Sequence, residues 1–276
     1  MMPMVYGRQA DERNLPVCSM LLARTPVRVD PLIDGMPATC GRWQCALPWP
    51  GAGPLIAQLV AFEFEHFSPD AFAICDISCP DTIARSVRKR QAEYFFGRLA
   101  ARLALRQKSL IPLDSLLQIG TGSAREPVWP AMAVGSISHT AELAAAAVAP
   151  QARWRGVGID LERVIDAGAR EALLSTVVNR SELALLQSIC GSTGYPLDLL
   201  LTMTFSAKEA FFKASFAAVG RYFEFSSAHV VAMNLGEKWV RLRLDEHLCP
   251  ELPLEQLCDV GVGLVDAQTV MTYRVW

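Results

Sequence analysis

Two stretches of the chain hold the residue types that could act on a phosphate: Val157-Gly158-Ile159-Asp160-Leu161-Glu162, and Phe205-Ser206-Ala207-Lys208-Glu209-Ala210-Phe211-Phe212-Lys213. The first is an apolar run that ends in carboxylates at i and i+2, and a strand points both of them to one side. Asp160 and Glu162 can therefore share a ligand. In the second, Glu209 and Lys213 stand four apart among good helix formers, an acid and a base one turn apart on one face. Lys208 is displaced from Glu209 by about 100 degrees. Three carboxylates and two lysines suit a hard cation such as Mg²⁺ held jointly with a ligand's phosphates. Each stretch taken singly also reads as ordinary surface, a solvated turn and a salt-bridged helix face. Their neighbours in the chain decide between these readings.

The elements that must position these groups follow from periodicity. A strand over 156–161 delivers Asp160 and Glu162, and a helix over 198–219 carries Lys208, Glu209 and Lys213. Between them, 167–188 reads as one or two helices, with Asn179-Arg180-Ser181-Glu182 as a break and fresh N-cap. Alternating strands follow at 239–244, 260–265 and 269–275. Upstream, β-branched and aromatic residues predict strands over 55–62 and 71–75, with Ser68-Pro69-Asp70 as the turn between them. Asp81 is the expected N-cap of a long helix over 82–108. Residues 1–54, rich in Pro and Gly, read as an irregular N-terminal extension or a few short strands.

The predicted 82–108 helix is the most basic part of the chain, and Arg90 and Arg98 fall close to one stripe, a little over two turns apart. Gly97 beside them weakens a helix and so points to close packing there. In the loop that follows, Pro127 and Pro130 flank Trp129 and make a rigid, extended piece suited to holding Arg125. In Ser136-Ile137-Ser138-His139 the serines face one side of a strand, and His139 faces the other or sits at its end. No G-x-S-x-G elbow surrounds them, and adjacent strand residues do not form a nucleophile–base pair. Hydroxyl and imidazole donors facing a phosphate fit better, and a structurally satisfied histidine is the alternative reading of His139.

Composition bounds the rest. The 276 residues are 51% hydrophobic and 20% charged, with net charge −2, which describes a globular chain with no bulk electrostatic case for nucleic acid or an anionic membrane. Phosphate binding must come from local clusters. The eight cysteines include no C-x-x-C and no histidine at zinc spacing, so they read as reduced thiols. No stretch has signal-peptide or membrane-span character, and the expected location is the cytoplasm.

The ordered set KRQAEYFFGR, REPVWP, GSISHT, VGIDLE and FSAKEAFFKA resembles the phosphopantetheinyl transferases of the long, single-chain type. These serve siderophore, lipopeptide and polyketide synthases, and the likeness is strongest to the enterobactin-synthase branch. It covers about residues 60–215. The resemblance implies an α/β (α+β) fold, a pseudo-twofold pair of similar α/β halves, here roughly 55–155 and 156–276, with the site in the cleft between them. It implies transfer of the phosphopantetheine arm of coenzyme A to a serine of an apo acyl or peptidyl carrier protein by a monomeric enzyme using Mg²⁺, with Mn²⁺ as an alternative ion. By the same resemblance Asp160, Glu162 and Glu209 hold the metal, and Arg90, Arg98, Arg125, Ser138, His139 and Lys208 contact the coenzyme. Glu209 or Glu162 would take the serine proton, and Lys213 would neutralise phosphate charge. The chain departs from the family at Phe205, where Trp is common, and in the spacing around Arg125. A metal-dependent phosphohydrolase and a catalytically dead carrier-binding module remain the rival readings.

Overall fold

The computed structural model describes residues 19–27, 40–112 and 117–276. The chain enters through the short strand β1 (Arg24–Pro26), β2 (Arg42–Leu47) and β3 (Leu55–Ala61). It then forms helices α1 (Ala71–Ile74), α2 (Asp81–Ala84) and α3 (Arg88–Gln107) and a small hairpin, β4 (Gly120–Thr121) with β5 (Pro127–Val128). β6 (Ala133–His139) and β7 (Leu143–Pro150) complete a five-stranded sheet of order β1-β2-β3-β7-β6. After β8 (Val157–Arg163) come helices α4 (Ala167–Thr176), α5 (Arg180–Thr193) and α6 (Leu197–Val219). β9 (Ala228–Asn234), β10 (Trp239–Leu244), β11 (Leu257–Asp266) and β12 (Thr269–Val275) then give a second sheet, β8-β12-β11-β10-β9. The strand pairs are antiparallel in both, so the architecture is α+β rather than built from parallel crossovers.

Residue size sets the layering. β7 is LAAAAVAP, and its alanines let both faces of a central strand be buried: Ala144 and Ala146 pack under α3, Ala145 and Ala147 against the second sheet. Val157, Ile159 and Leu161 of β8 enter this inter-sheet core together with Met271 and Tyr273. Gly158 and Asp160 therefore face the opposite way, toward α6. A Cβ on Gly158 would overlap the Ala210 carbonyl oxygen, and one on Gly156 the Ala214 carbonyl oxygen. These two glycines are what let α6 settle close onto β8. Gly97 of α3 has the same role, since a Cβ there would sit 3.0 Å from the Ile137 side chain.

Two expected elements differ. Residues 71–75 form the short helix α1, not a strand, because Ser68 and Asp70 bond each other locally and open a turn that an apolar four-residue run can continue either way. The expected 82–108 helix is interrupted. Ser86 Oγ donates to the Ile83 carbonyl at 2.7 Å, Val87 is extended, and Gln91 Nε2 donates to the freed carbonyls of Ala84 and Ser86 at 3.1 and 2.9 Å. The break at Asn179 is a capping box with Glu182. Of residues 1–54, 1–18 and 28–39 lie outside the described residues. β1 and β2 belong to the first sheet, and Leu22 N–H donates to Leu264 O in the second at 2.8 Å.

Gly158→Ala is expected to push α6 off β8 and lower stability by about 1–3 kcal/mol. Gly191→Ala, at an α5 position with nothing within 4 Å, should raise stability by up to about 1 kcal/mol. Thermal unfolding of the two variants checks the pair.

Candidate active site

β6 and β8 are edge strands of different sheets, and serine side chains join them. Ser136 Oγ donates to Ile159 O at 3.4 Å, and Leu161 N–H donates to Ser138 Oγ at 3.0 Å. The alternation expected for these serines is realised, with both hydroxyls turned to β8. Ser138 Oγ also donates to Asp160 Oδ1 at 3.0 Å, and Lys213 Nζ reaches the same oxygen at 2.6 Å and Ser138 Oγ at 3.3 Å. Asp160 is only 2% exposed, and its other oxygen, Oδ2, is buried without a hydrogen-bond partner. Among the described residues this buried acceptor is unmet, which is unusual for a carboxylate oxygen.

Glu162 and Glu209 stand around this bond. Burial, then the Asp160 charge, push Glu162 up to about 7, with Lys213 opposing and Glu209 adding to the rise. Burial likewise raises Glu209, with Lys213 pulling down and Asp160 pushing up. The three carboxylates thus share one electrostatic field around one lysine. Their donor type and the open Asp160 oxygen fit a hard cation. Among the described residues, no three His, Cys, Asp or Glu side chains lie close enough to hold an ion by themselves.

The cationic residues line a neighbouring cavity of about 530 Å³ between α3 and the β4–β5 hairpin, where Arg90, Arg98, Arg125 and His139 all contribute to the wall. Arg98 lies 4.6 Å over the Tyr94 ring and donates to Gly120 O and Thr121 Oγ1 at 3.1 and 2.8 Å. Arg90 Nη1 is 3.1 Å from His139 Nε2 and 3.4 Å from Glu93 Oε2. A guanidinium only donates, so Nε2 accepts and the imidazole proton sits on Nδ1. Burial holds His139 below its ordinary value, with Glu93 opposing and Arg90 adding.

Lys208 is placed elsewhere. On the same helix as Lys213 but facing away from β8, its ammonium pairs with Glu182 Oε1 at 2.8 Å and donates to Val177 O and Phe225 O at 2.7 and 3.2 Å. Both side chains of the pair are at most 2% exposed. Burial pulls Lys208 down and Glu182 pushes it back up. Glu182 Oε1 also accepts from Val230 N–H at 2.7 Å, so the pair ties α6, α5 and β9 together. Glu182, Glu93, Tyr94 and Thr121 were not singled out by the sequence reading. Glu182 was visible only as part of a fresh N-cap, Glu93 and Tyr94 only as members of KRQAEYFFGR, and Thr121 carries no motif of its own.

The α+β fold thus sets a buried Asp–Lys–Ser knot beside an arginine cavity, and comparison with known proteins is specific about the family. Residues 80–149 match the 4′-phosphopantetheinyl transferase N-terminal domain, and residues 156–258 match the 4′-phosphopantetheinyl transferase superfamily. Enterobactin synthase component D of Escherichia coli (strain K12) is 37% identical over 156 residues, 55% of this chain and 69% of that protein. Its counterpart in Salmonella typhi is 34% identical over 154 residues, 56% of this chain and 60% of that protein. The 4′-phosphopantetheinyl transferase Npt of Nocardia iowensis is 37% identical over 148 residues, 54% of this chain and 62% of that protein. The chain belongs to the phosphopantetheinyl transferase family. It spans less than two thirds of the length of two of these relatives. Among the described residues, no helix is long and apolar enough to cross a membrane.

Two stability outcomes follow. Lys208→Met leaves Glu182 buried and unpaired and should cost about 3–5 kcal/mol in chemical denaturation. Glu162 has a folded-state value near 7 against an ordinary 4.5, so folding favours its protonated form, and that contribution is lost as pH rises from 4.5 through about 7. In a chelator-containing buffer, Glu162→Gln should therefore melt above the parent at pH 8, with the gap closing toward pH 4.5.

Proposed function

We propose that the chain transfers the 4′-phosphopantetheine arm of coenzyme A to a serine of an apo carrier protein and releases adenosine 3′,5′-bisphosphate. Its acceptors would be the acyl, peptidyl or aryl carrier domains of fatty-acid, polyketide or nonribosomal peptide and siderophore synthases. The observation that carries this reading is the Ser138–Asp160–Lys213 knot, with its open carboxylate oxygen, beside the cavity that Arg90, Arg98, Arg125 and His139 line. Membership of the family supports it.

The proposed chemistry needs little from the protein beyond position and charge. The carrier serine oxygen bonds to the phosphorus that bears the pantetheine arm, and the bond from that phosphorus to the oxygen bridging to the nucleotide's 5′-phosphate breaks. The serine proton goes to a carboxylate, Glu209 by family analogy or Glu162, and the bridging oxygen leaves with the nucleotide. Lys213 sits where its ammonium would offset charge on the reacting phosphates, while the arginines and His139 would anchor the nucleotide end. Asp160, Glu162 and Glu209 would hold Mg²⁺, or Mn²⁺ in its place. That ion would neutralise the pyrophosphate, and it needs few protein oxygens because phosphate and water complete its shell. Lys208, paired with Glu182, would support the site through the helix rather than by contact with the coenzyme.

Incubation with coenzyme A, Mg²⁺ and an apo carrier should add one phosphopantetheine to the carrier by mass spectrometry. Unmodified carriers across a panel would overturn the reading. Asp160→Asn and Glu209→Gln should each abolish the mass shift while retaining the parent circular dichroism spectrum. Arg98→Ala should mainly raise KM for coenzyme A, since a phosphate contact made equally in the ground and transition states adds uniform binding.

A further inference from the structure

Helix α6 ends at Gly220, whose left-handed backbone (φ 70°) turns the chain back across its last turns. That turn returns Tyr222 onto Phe212, stacked at 5.5 Å with 22° between the ring planes, and against Phe216 at 5.4 Å. Tyr222 is 63% exposed, so burial in a core is not what fixes it. Its hydroxyl donates to the Ala124 carbonyl at 2.7 Å. Ala124 lies in the β4–β5 hairpin loop, which belongs to the other sheet's half of the molecule, and the next residue is Arg125.

Arg125 has a backbone of its own to explain. Its φ is 68°, a left-handed conformation that a side chain bearing a Cβ adopts only where the surroundings impose it. The surroundings do so from three sides. Arg125 N–H donates to Gly122 O at 3.0 Å, and Gly122 N–H donates to Glu126 O at 2.8 Å, closing the turn. From α3, Arg98 and Tyr94 grip the hairpin at Gly120 and Thr121. From the turn beyond α6, Tyr222 grips it at Ala124.

The turn so held lies between two cavities. Arg125 lines the 530 Å³ arginine cavity, and it also lines an adjoining cavity of about 270 Å³ whose other wall includes Phe212, Lys213 and Tyr222. The two cavities meet at Arg125, Pro127 and Ile137, and Lys213 lines the smaller one, so Arg125 is the cation at their junction. We propose that Tyr222 is a positioning residue for coenzyme A binding, acting through its hydrogen bond to the Ala124 carbonyl to hold Arg125 at the junction of the two cavities. This rests on the function proposed above and goes beyond it by assigning a residue from one half to the control of an arginine in the other.

A double-mutant cycle tests it, with coenzyme A binding read by calorimetry rather than by turnover. Tyr222→Phe keeps the stacked ring and removes only the hydroxyl. It should weaken coenzyme A about fivefold to tenfold, with the melting temperature of the unliganded protein unchanged. Arg125→Ala should weaken binding at least as much, and adding Tyr222→Phe to it should cost nothing further. Parent-like affinity in Tyr222→Phe, or an equal loss in the Arg125→Ala background, would overturn the proposal while leaving the transferase reading intact. Failure of the parent protein to bind coenzyme A would overturn both.

Discussion

The buried carboxylate of Asp160 is the constraint on which the site depends. A charge at 2% exposure cannot stand without compensation, because removing an ion from water costs several kcal/mol that only partners at hydrogen-bond distance offset. Each partner arrives on a different element. Ser138 comes from the edge of one sheet, Asp160 from the edge of the other, and Lys213 from α6. The knot therefore joins three pieces that the chain connects only through long excursions, and it lies where two sheet edges would otherwise leave backbone groups unpaired. Ser136 and Ser138 satisfy two of those groups with hydroxyls, so the polar chemistry of the site and the joining of the sheets are one arrangement.

The helix that brings Lys213 is held by its other lysine. Five residues separate Lys208 from Lys213, and at 100 degrees per residue they point to faces roughly 140 degrees apart. One ammonium is consumed inside the second half, bonded to Glu182 and two carbonyls, while the other stays partly exposed above β8. Gly156 and Gly158 set the separation of helix and strand, and the Lys208–Glu182 pair anchors the helix on its far side. A shift of either would carry Glu209 and Lys213 off Asp160 together, because an α-helix moves as a rigid body over this length.

Much of this was legible in the residues themselves. The period of a strand places Asp160 and Glu162 on one side, the period of a helix places Glu209 under Lys213, and Asn179-Arg180-Ser181-Glu182 announces a break and a fresh N-cap, which the fold realises as a capping box. These signals are local. The role of Lys208 was not legible, because its partner is Glu182 on another helix and nothing in the intervening sequence records their meeting. The same holds for Tyr222 and Ala124, and for the hairpin grip of Arg98. The short helix at Ala71–Ile74 was misread for a different reason: four apolar residues carry no decisive period, and local turn bonding settles their state. The 82–108 helix was overextended because one serine returning its hydroxyl to a carbonyl is a weak mark on the sequence yet suffices, with Val87 extended, to end a helix and start another.

Local placement rather than the net charge of −2 builds the arginine cavity. The cations of the arginine cavity are not free in the way surface lysines are. Arg98 is spent on a carbonyl, a hydroxyl and a tyrosine face, and Arg90 on a neutral histidine and a carboxylate. Such engagement lowers the conformational entropy left to lose on binding, since each long side chain is already held near one geometry. Of the arginines' acceptors the Gly120 carbonyl, the Thr121 hydroxyl and the His139 imidazole are neutral, while Glu93 is a carboxylate. Three acids, Asp160, Glu162 and Glu209, gather around Lys213 outside that cavity, while Glu93 stands in its wall beside Arg90.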